Sequence, residues 1–94
     1  MTVYVVTVDL DRLGSNYTSL RRKLLSLGAF PAQGTVWFVK YDDCADALRD
    51  NLQTHLHHND RLFVAALSSE WASFNMASLC HWLEETHTSP APQE

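Results

Sequence analysis

Apolar side chains fill both phases of the opening segment: Val3 and Val5, with Thr7, alternate with Tyr4, Val6 and Val8. A strand places successive side chains on opposite faces, so this pattern predicts a strand over 2–9 that is apolar front and back. Asp9 ends it, and Asp11 follows two positions later. "GSNYTSL" supplies helix-start chemistry with Ser15 or Asn16 as cap. Tyr17, Leu20, Leu24 and Leu27 then recur at helical spacing up to Gly28, which stops the helix. "AFPAQ" leads through Gly34 into "TVWFVKY", a second strong strand. Pro31 lacks a ladder donor and makes the preceding segment an edge or irregular strand. "DDCADALRDNLQTHL" opens on Asp42 or Asp43 as cap and strings Cys44 or Ala45, Leu48, Leu52 and Leu56 along one stripe. "HND" is a turn, "RLFVAAL" a continuous apolar strand, and "SSEWASFN" a loop. "MASLCHWLEE" closes as a helix with Met76, Leu79 and Leu83 aligned.

The resulting order, β-α-β-β-α-β plus a terminal helix, predicts an α+β, ferredoxin-like fold: an antiparallel sheet with helices on one face. We expect one domain over 1–86 and a flexible, proline-bearing tail over 87–94. Two helices cover one face of such a sheet, yet the strands are apolar on both. The last strand offers Leu62 and Val64 on one side against Phe63, Ala65 and Leu67 on the other. Leaving the second face in water forgoes about 1.5–3 kcal/mol per large side chain and makes a sticky patch. The terminal helix with Trp82 or a second copy must cover it. A homodimer with the helix at its rim is the expected answer.

Length and charge narrow the picture. A chain of 94 residues makes one small domain. The net charge of −4 argues against a protein that coats nucleic acid without specificity, but not against a site that meets a phosphodiester through a metal ion. "RRK" at 21–23 is the only basic cluster and reads as a solvated helix face. No apolar run reaches the roughly 20 residues of a membrane span, and "MTVYVVTVDL" is not a secretory leader. Cys44 and Cys80 lack CxxC spacing and read as small buried groups in a reducing compartment. The expected location is the cytoplasm.

Several residues bear on chemistry. Asp9 and Asp11 either shape the turn by accepting backbone N–H bonds or hold a metal ion. "HLHH" brings His55, His57 and His58 together, a weak ligand set that equally suits a helix C-terminus; His81 and His87 read as surface residues. Trp37, Phe38, Trp71, Phe74 and Trp82 read as packing or dimer contacts, because "TVWFVKY" lacks the basic and glycine positions of a base-stacking motif. Asp60 and Arg61 at a strand start read as a turn-stabilising ion pair, with Arg61 also able to face a phosphate.

Three stretches, "YVVTVDLDRLGSNYTSLRRKLLSLGAF", "TVWFVKYDDCADALRDNLQTHLHHNDRLFVAAL" and "EWASFN", carry a further signal. Over residues 3–75 the chain resembles the small Cas-two-like proteins, stand-alone relatives of the dimeric CRISPR-associated subunit that bridges the spacer-integration complex. The resemblance rests on the aspartate ending the first strand, the Leu-Gly closing the first helix, "TVW" opening a strand and "NDRLFV" opening the last. It implies a ferredoxin-like homodimer. In the members described as metal-dependent nucleases, that aspartate from each protomer flanks one divalent ion at the dimer axis. Carried to this chain, Asp9 is the catalytic and metal-holding residue, Mg²⁺ or Mn²⁺ the cofactor and RNA or DNA the substrate. Arg12 and Arg61 would bind phosphate. Other relatives work as scaffolds that bind a protein or nucleic-acid partner, and the related virulence-associated protein D group acts as ribonuclease toxins, which implies a toxin–antitoxin alternative. This sequence departs from the nuclease members in lacking the basic run after the aspartate; "LDRLGSN" offers Arg12 alone.

Overall fold

In the computed structural model, the backbone is described for residues 1–10 and 15–88 and the side chains for 1–10 and 17–85. The elements are β1 (Thr2–Asp9), α1 (Ser15–Ser26), β2 (Phe30–Gln33), β3 (Val36–Tyr41), α2 (Ala45–Gln53), β4 (Arg61–Ala66) and α3 (Ala77–Thr88). The strands form one antiparallel sheet in the order β2-β3-β1-β4, so each βαβ unit has a strand of the other inserted between its own. That interleaving is the ferredoxin-like fold.

Local chemistry explains the boundaries. Gly28 sits in the left-handed region at φ 77°. Its N–H bonds the Leu25 carbonyl and the Ala29 N–H reaches back to Leu24, both at 3.0 Å. This pair of hydrogen bonds closes α1 as a Schellman cap and brings Ala29 against Leu24, both buried. Gly34, at φ 43°, turns the β2–β3 hairpin. Pro31 lies on an edge strand, next to an irregularity in the pairing between Pro31 and Gln33. Both consequences of its missing N–H are present. The start of α2 differs from expectation. Cys44, not Asp42 or Asp43, is the N-cap residue and makes no side-chain cap bond. Asp43 instead accepts the Cys44 N–H at 2.7 Å, and its carbonyl accepts the Tyr4 hydroxyl at 2.8 Å. The expected cap at Ser15 or Asn16 lies outside the described side chains.

The core forms on the first face of the sheet. Tyr4, Val6 and Val8 of β1 pack with Trp37 and Val39 of β3 beneath Leu20 and Leu24 of α1 and Leu48 and Leu52 of α2. Trp37 is buried to 1% exposure, and its indole N–H has no acceptor among the described residues. An unmet N–H costs about 1–3 kcal/mol, which the ring's large apolar burial has to outweigh. The Ser19 hydroxyl and His55 Nδ1, 2.6 Å apart, tie α1 to the segment after α2.

The second face is divided. α3 lies along the β2–β3 side, where Leu79 and Leu83 are buried at 4% and 1% exposure. Trp82 stacks 5.8 Å from Phe30 of β2, and the Lys40 ammonium of β3 stands 4.4 Å from the Trp82 ring centre. On the β1–β4 side, Phe63 is 65% exposed. The closing helix runs to Thr88, and residues 89–94 of the expected tail lie outside the described residues. Among the described residues, no helix is long and apolar enough to cross a membrane.

Candidate functional site

Asp9 owes its position to strand phase. β1 is the inner strand between β3 and β4, and Asp9 shares the second face with Val3, Val5 and Thr7. Being the last residue of the strand, it stands at the sheet's end rather than within it, and its side chain is 74% exposed. The β1–β4 register sets Thr7 opposite Phe63 and Asp9 opposite Arg61. Directly opposed residues of an antiparallel pair lie within side-chain reach. Arg61 Nη1 is 3.7 Å from Asp9 Oδ2, and the arginine side chain is 83% exposed. Two of the residues singled out from sequence thus meet across one strand pair. The third, Arg12, lies outside the described residues, as does Asp11.

Asp60 and Arg61, read from sequence as a turn-stabilising pair, stand in different contacts here. The Asp60 carboxylate accepts the His57 backbone N–H at 2.8 Å, closing the "HND" turn, and Arg61 reaches over to β1. The signal for the Asp9–Arg61 pair is positional. It requires β1 and β4 to be neighbours in a known register, which no local pattern specifies.

Around the pair, Val3, Val5, Thr7 and Ala65 are half-buried and Phe63 is open to solvent. The site is therefore a polar corner on an apolar half-face. Its metal-holding capacity within one chain is small. Among the described residues, no three His, Cys, Asp or Glu side chains converge as a metal site. One carboxylate leaves a hard cation largely in water.

The other candidates separate clearly. α2 ends at Gln53, so His55, His57 and His58 follow the helix rather than cap its last turn. His55 is half-buried against Ser19, while His57 and His58 are exposed. His81 has a partner, with Nε2 3.6 Å from the Glu85 carboxylate; the His87 side chain lies outside the described residues. Of the basic cluster, Arg21 and Arg22 are exposed, as a solvated helix face requires, and Lys23 is half-buried. The cysteines are not the buried pair expected: Cys44 is exposed, and Cys80 is half-buried with its sulfur 3.2 Å from the Ser73 hydroxyl. Trp37 is core, Phe38, Trp71 and Trp82 are half-buried, and Phe74 stands 91% exposed. Phe38, Leu67, Trp71, Met76 and Leu83 help line a groove of about 430 Å³ between α3, its preceding loop and the sheet. Arg49 donates to Asp50, and this hydrogen bond and charge raise its pKa above the ordinary arginine value.

No protein-family model, curated protein or solved structure matches the chain.

Proposed function

We propose that the chain is a Cas-two-like protein working in the cytoplasm as a homodimer joined through the β1–β4 half-face. Its two Asp9 carboxylates form a Mg²⁺- or Mn²⁺-dependent centre that hydrolyses RNA or DNA. One observation carries the reading. Asp9 ends the central strand, exposed, on the same face as the solvent-facing Phe63. A two-fold axis through that apolar patch would bury Phe63 and draw two carboxylates together. Like charges in one site oppose ionisation, and a shared cation removes the penalty. The two Asp9 carboxylates would hold the Mg²⁺ or Mn²⁺ ion, which when bound would supply an acidified water and Lewis-acid stabilisation of charge on the phosphate. Arg61, directly across from Asp9, and Arg12, three residues beyond it, furnish guanidinium forks for phosphate oxygens. Two free cysteines accord with a reducing compartment.

Incubation of the purified protein with labelled RNA and DNA tests this, in Mg²⁺, Mn²⁺ or EDTA and beside Asp9→Asn. We expect cleavage with metal, and its loss both in EDTA and in the variant. Cleavage that survives both would remove the metal centre. A second reading is a catalytically silent dimer, acting as a scaffold, a regulator or a toxin–antitoxin component. The Asp9–Arg61 pair favours it, because it neutralises the carboxylate inside one chain, and so does the −4 net charge. The absence of cleavage under every metal, with the dimer intact, supports that reading.

A further inference from the structure

We propose that the outer edge of β4 is a docking site for an extended, basic segment of a partner protein, which joins the sheet as a further antiparallel strand. This edge is separate from the Asp9 carboxylate and asks nothing of a metal ion.

The sheet's two edges are built differently. β2 is four residues long, carries Pro31, breaks register between Pro31 and Gln33, and has α3 beside it. Those are devices that keep an edge strand from pairing with another chain. β4 has none of them. It is six residues long, contains no proline, and pairs with β1 without a break from Ala66 to Arg61. Among the described residues no strand lies beyond it. The ladder also fixes which groups are on offer. The Leu67 N–H donates to the Val3 carbonyl at 2.8 Å, so the alternation of an antiparallel pair turns the N–H and C=O of Arg61, Phe63 and Ala65 toward β1. Those of Leu62, Val64 and Ala66 face outward. A donor and an acceptor on every second residue of a regular strand match an extended polypeptide, the chemistry of strand addition.

Charge selects the segment. On the first face, a groove of about 440 Å³ between α2 and the start of β4 has Arg49, His57, His58, Asp60 and Leu62 in its lining. Asp46 and Asp50 stand 3.7 and 2.9 Å from Arg49, so three carboxylates are set against one guanidinium there. Arg61 lies on the other face, matched by Asp9. An added residue opposite Leu62 shares its face and sends its side chain toward this groove, where lysine or arginine meets the excess of acid. The same carboxylates oppose antiparallel pairing of two β4 edges, which sets both α2 helices on one face of the joined sheet.

The test uses the full chain in EDTA, so that failure of the metal centre leaves the result untouched. The pH is 8, above the ordinary imidazole range. The probe is a fluorescein-labelled six-residue peptide of alternating valine and threonine, with lysine as its second-last residue. Amide hydrogen exchange, read residue by residue by NMR, is expected to slow at Leu62, Val64 and Ala66 when the probe is added and to stay unchanged at Phe63 and Ala65. The same peptide with every amide N-methylated should have no effect. By anisotropy, the lysine probe should bind about 1.5- to 5-fold more tightly than its glutamate counterpart, the range of an exposed ion pair. Ala66→Pro removes an outward N–H and no bond to β1, so it should weaken binding about 2- to 10-fold, the worth of one hydrogen bond, with the urea midpoint showing that the variant is folded. No binding by the probe, slowing that ignores the alternation, or equal binding of the N-methylated peptide overturns the edge site. A glutamate probe that binds as tightly as the lysine probe overturns the basic partner. Outward amides already protected without probe, in a parent whose mass falls to one chain in Ala66→Pro, give the edge to a second copy and overturn the proposal.

Discussion

The two halves of the second sheet face start from the same kind of sequence and end differently. On the β2–β3 half, Val36 and Phe38 are half-buried and share a groove with α3, whose Leu83 is 1% exposed. On the β1–β4 half, Phe63 is 65% exposed beside Val5 and Thr7, with the Asp9–Arg61 pair at the end of the strands. One apolar surface is covered by its own chain; the other keeps a bulky aromatic in water and a charged corner beside it. A folding requirement accounts for the first. Apolar exposure combined with a polar rim is the pattern of a surface that meets something else.

Breaking the covered half should have the largest effect. Leu83→Ala removes a buried side chain and leaves a cavity, so it should cost about 2–5 kcal/mol, measured as a fall in the urea midpoint. Phe63→Ala, on the open half, should change the stability of a single chain far less, because its ring is mostly hydrated before the mutation. Its effect should appear in association. A pair of variants that lose stability equally would erase the distinction between the halves. Next in size is Trp82→Ala, which removes both the stacking on Phe30 and the ring face under Lys40. We expect a loss of about 1–3 kcal/mol by thermal or urea unfolding, smaller than for Leu83 because Trp82 is only half-buried. Smallest is Asp9→Asn. An exposed ion pair contributes about 0–1 kcal/mol, so the melting midpoint should stay nearly unchanged while metal binding is lost. A large fall in stability would make Asp9 a structural residue.

Much of this fold can be read locally, and the site only in part. β1 declares itself because strand formers occupy both phases, and α1 stops at Gly28 because few other residues tolerate a left-handed cap. Pro31 announces its edge strand through the donor it lacks. The helix of Met76, Leu79 and Leu83 is equally visible, but its apolar stripe does not specify what it lands on. A rim and a lid require the same spacing, and only the tertiary arrangement puts Leu83 over β2–β3. Cys44 shows a similar limit. A small apolar residue next to a helix reads as core, yet the helix starts one residue later and leaves it exposed at the cap. Asp9 could be found from its place at the end of a strand. Its partner could not, because Arg61 lies 52 positions along the chain and meets it through register alone.

The central claim is that the open half-face pairs with its own copy. Sedimentation or light scattering of the parent and of Phe63→Glu at micromolar concentration tests it most directly. The account predicts twice the chain mass for the parent and a folded single chain for the variant. A parent protein with the mass of one chain would contradict it.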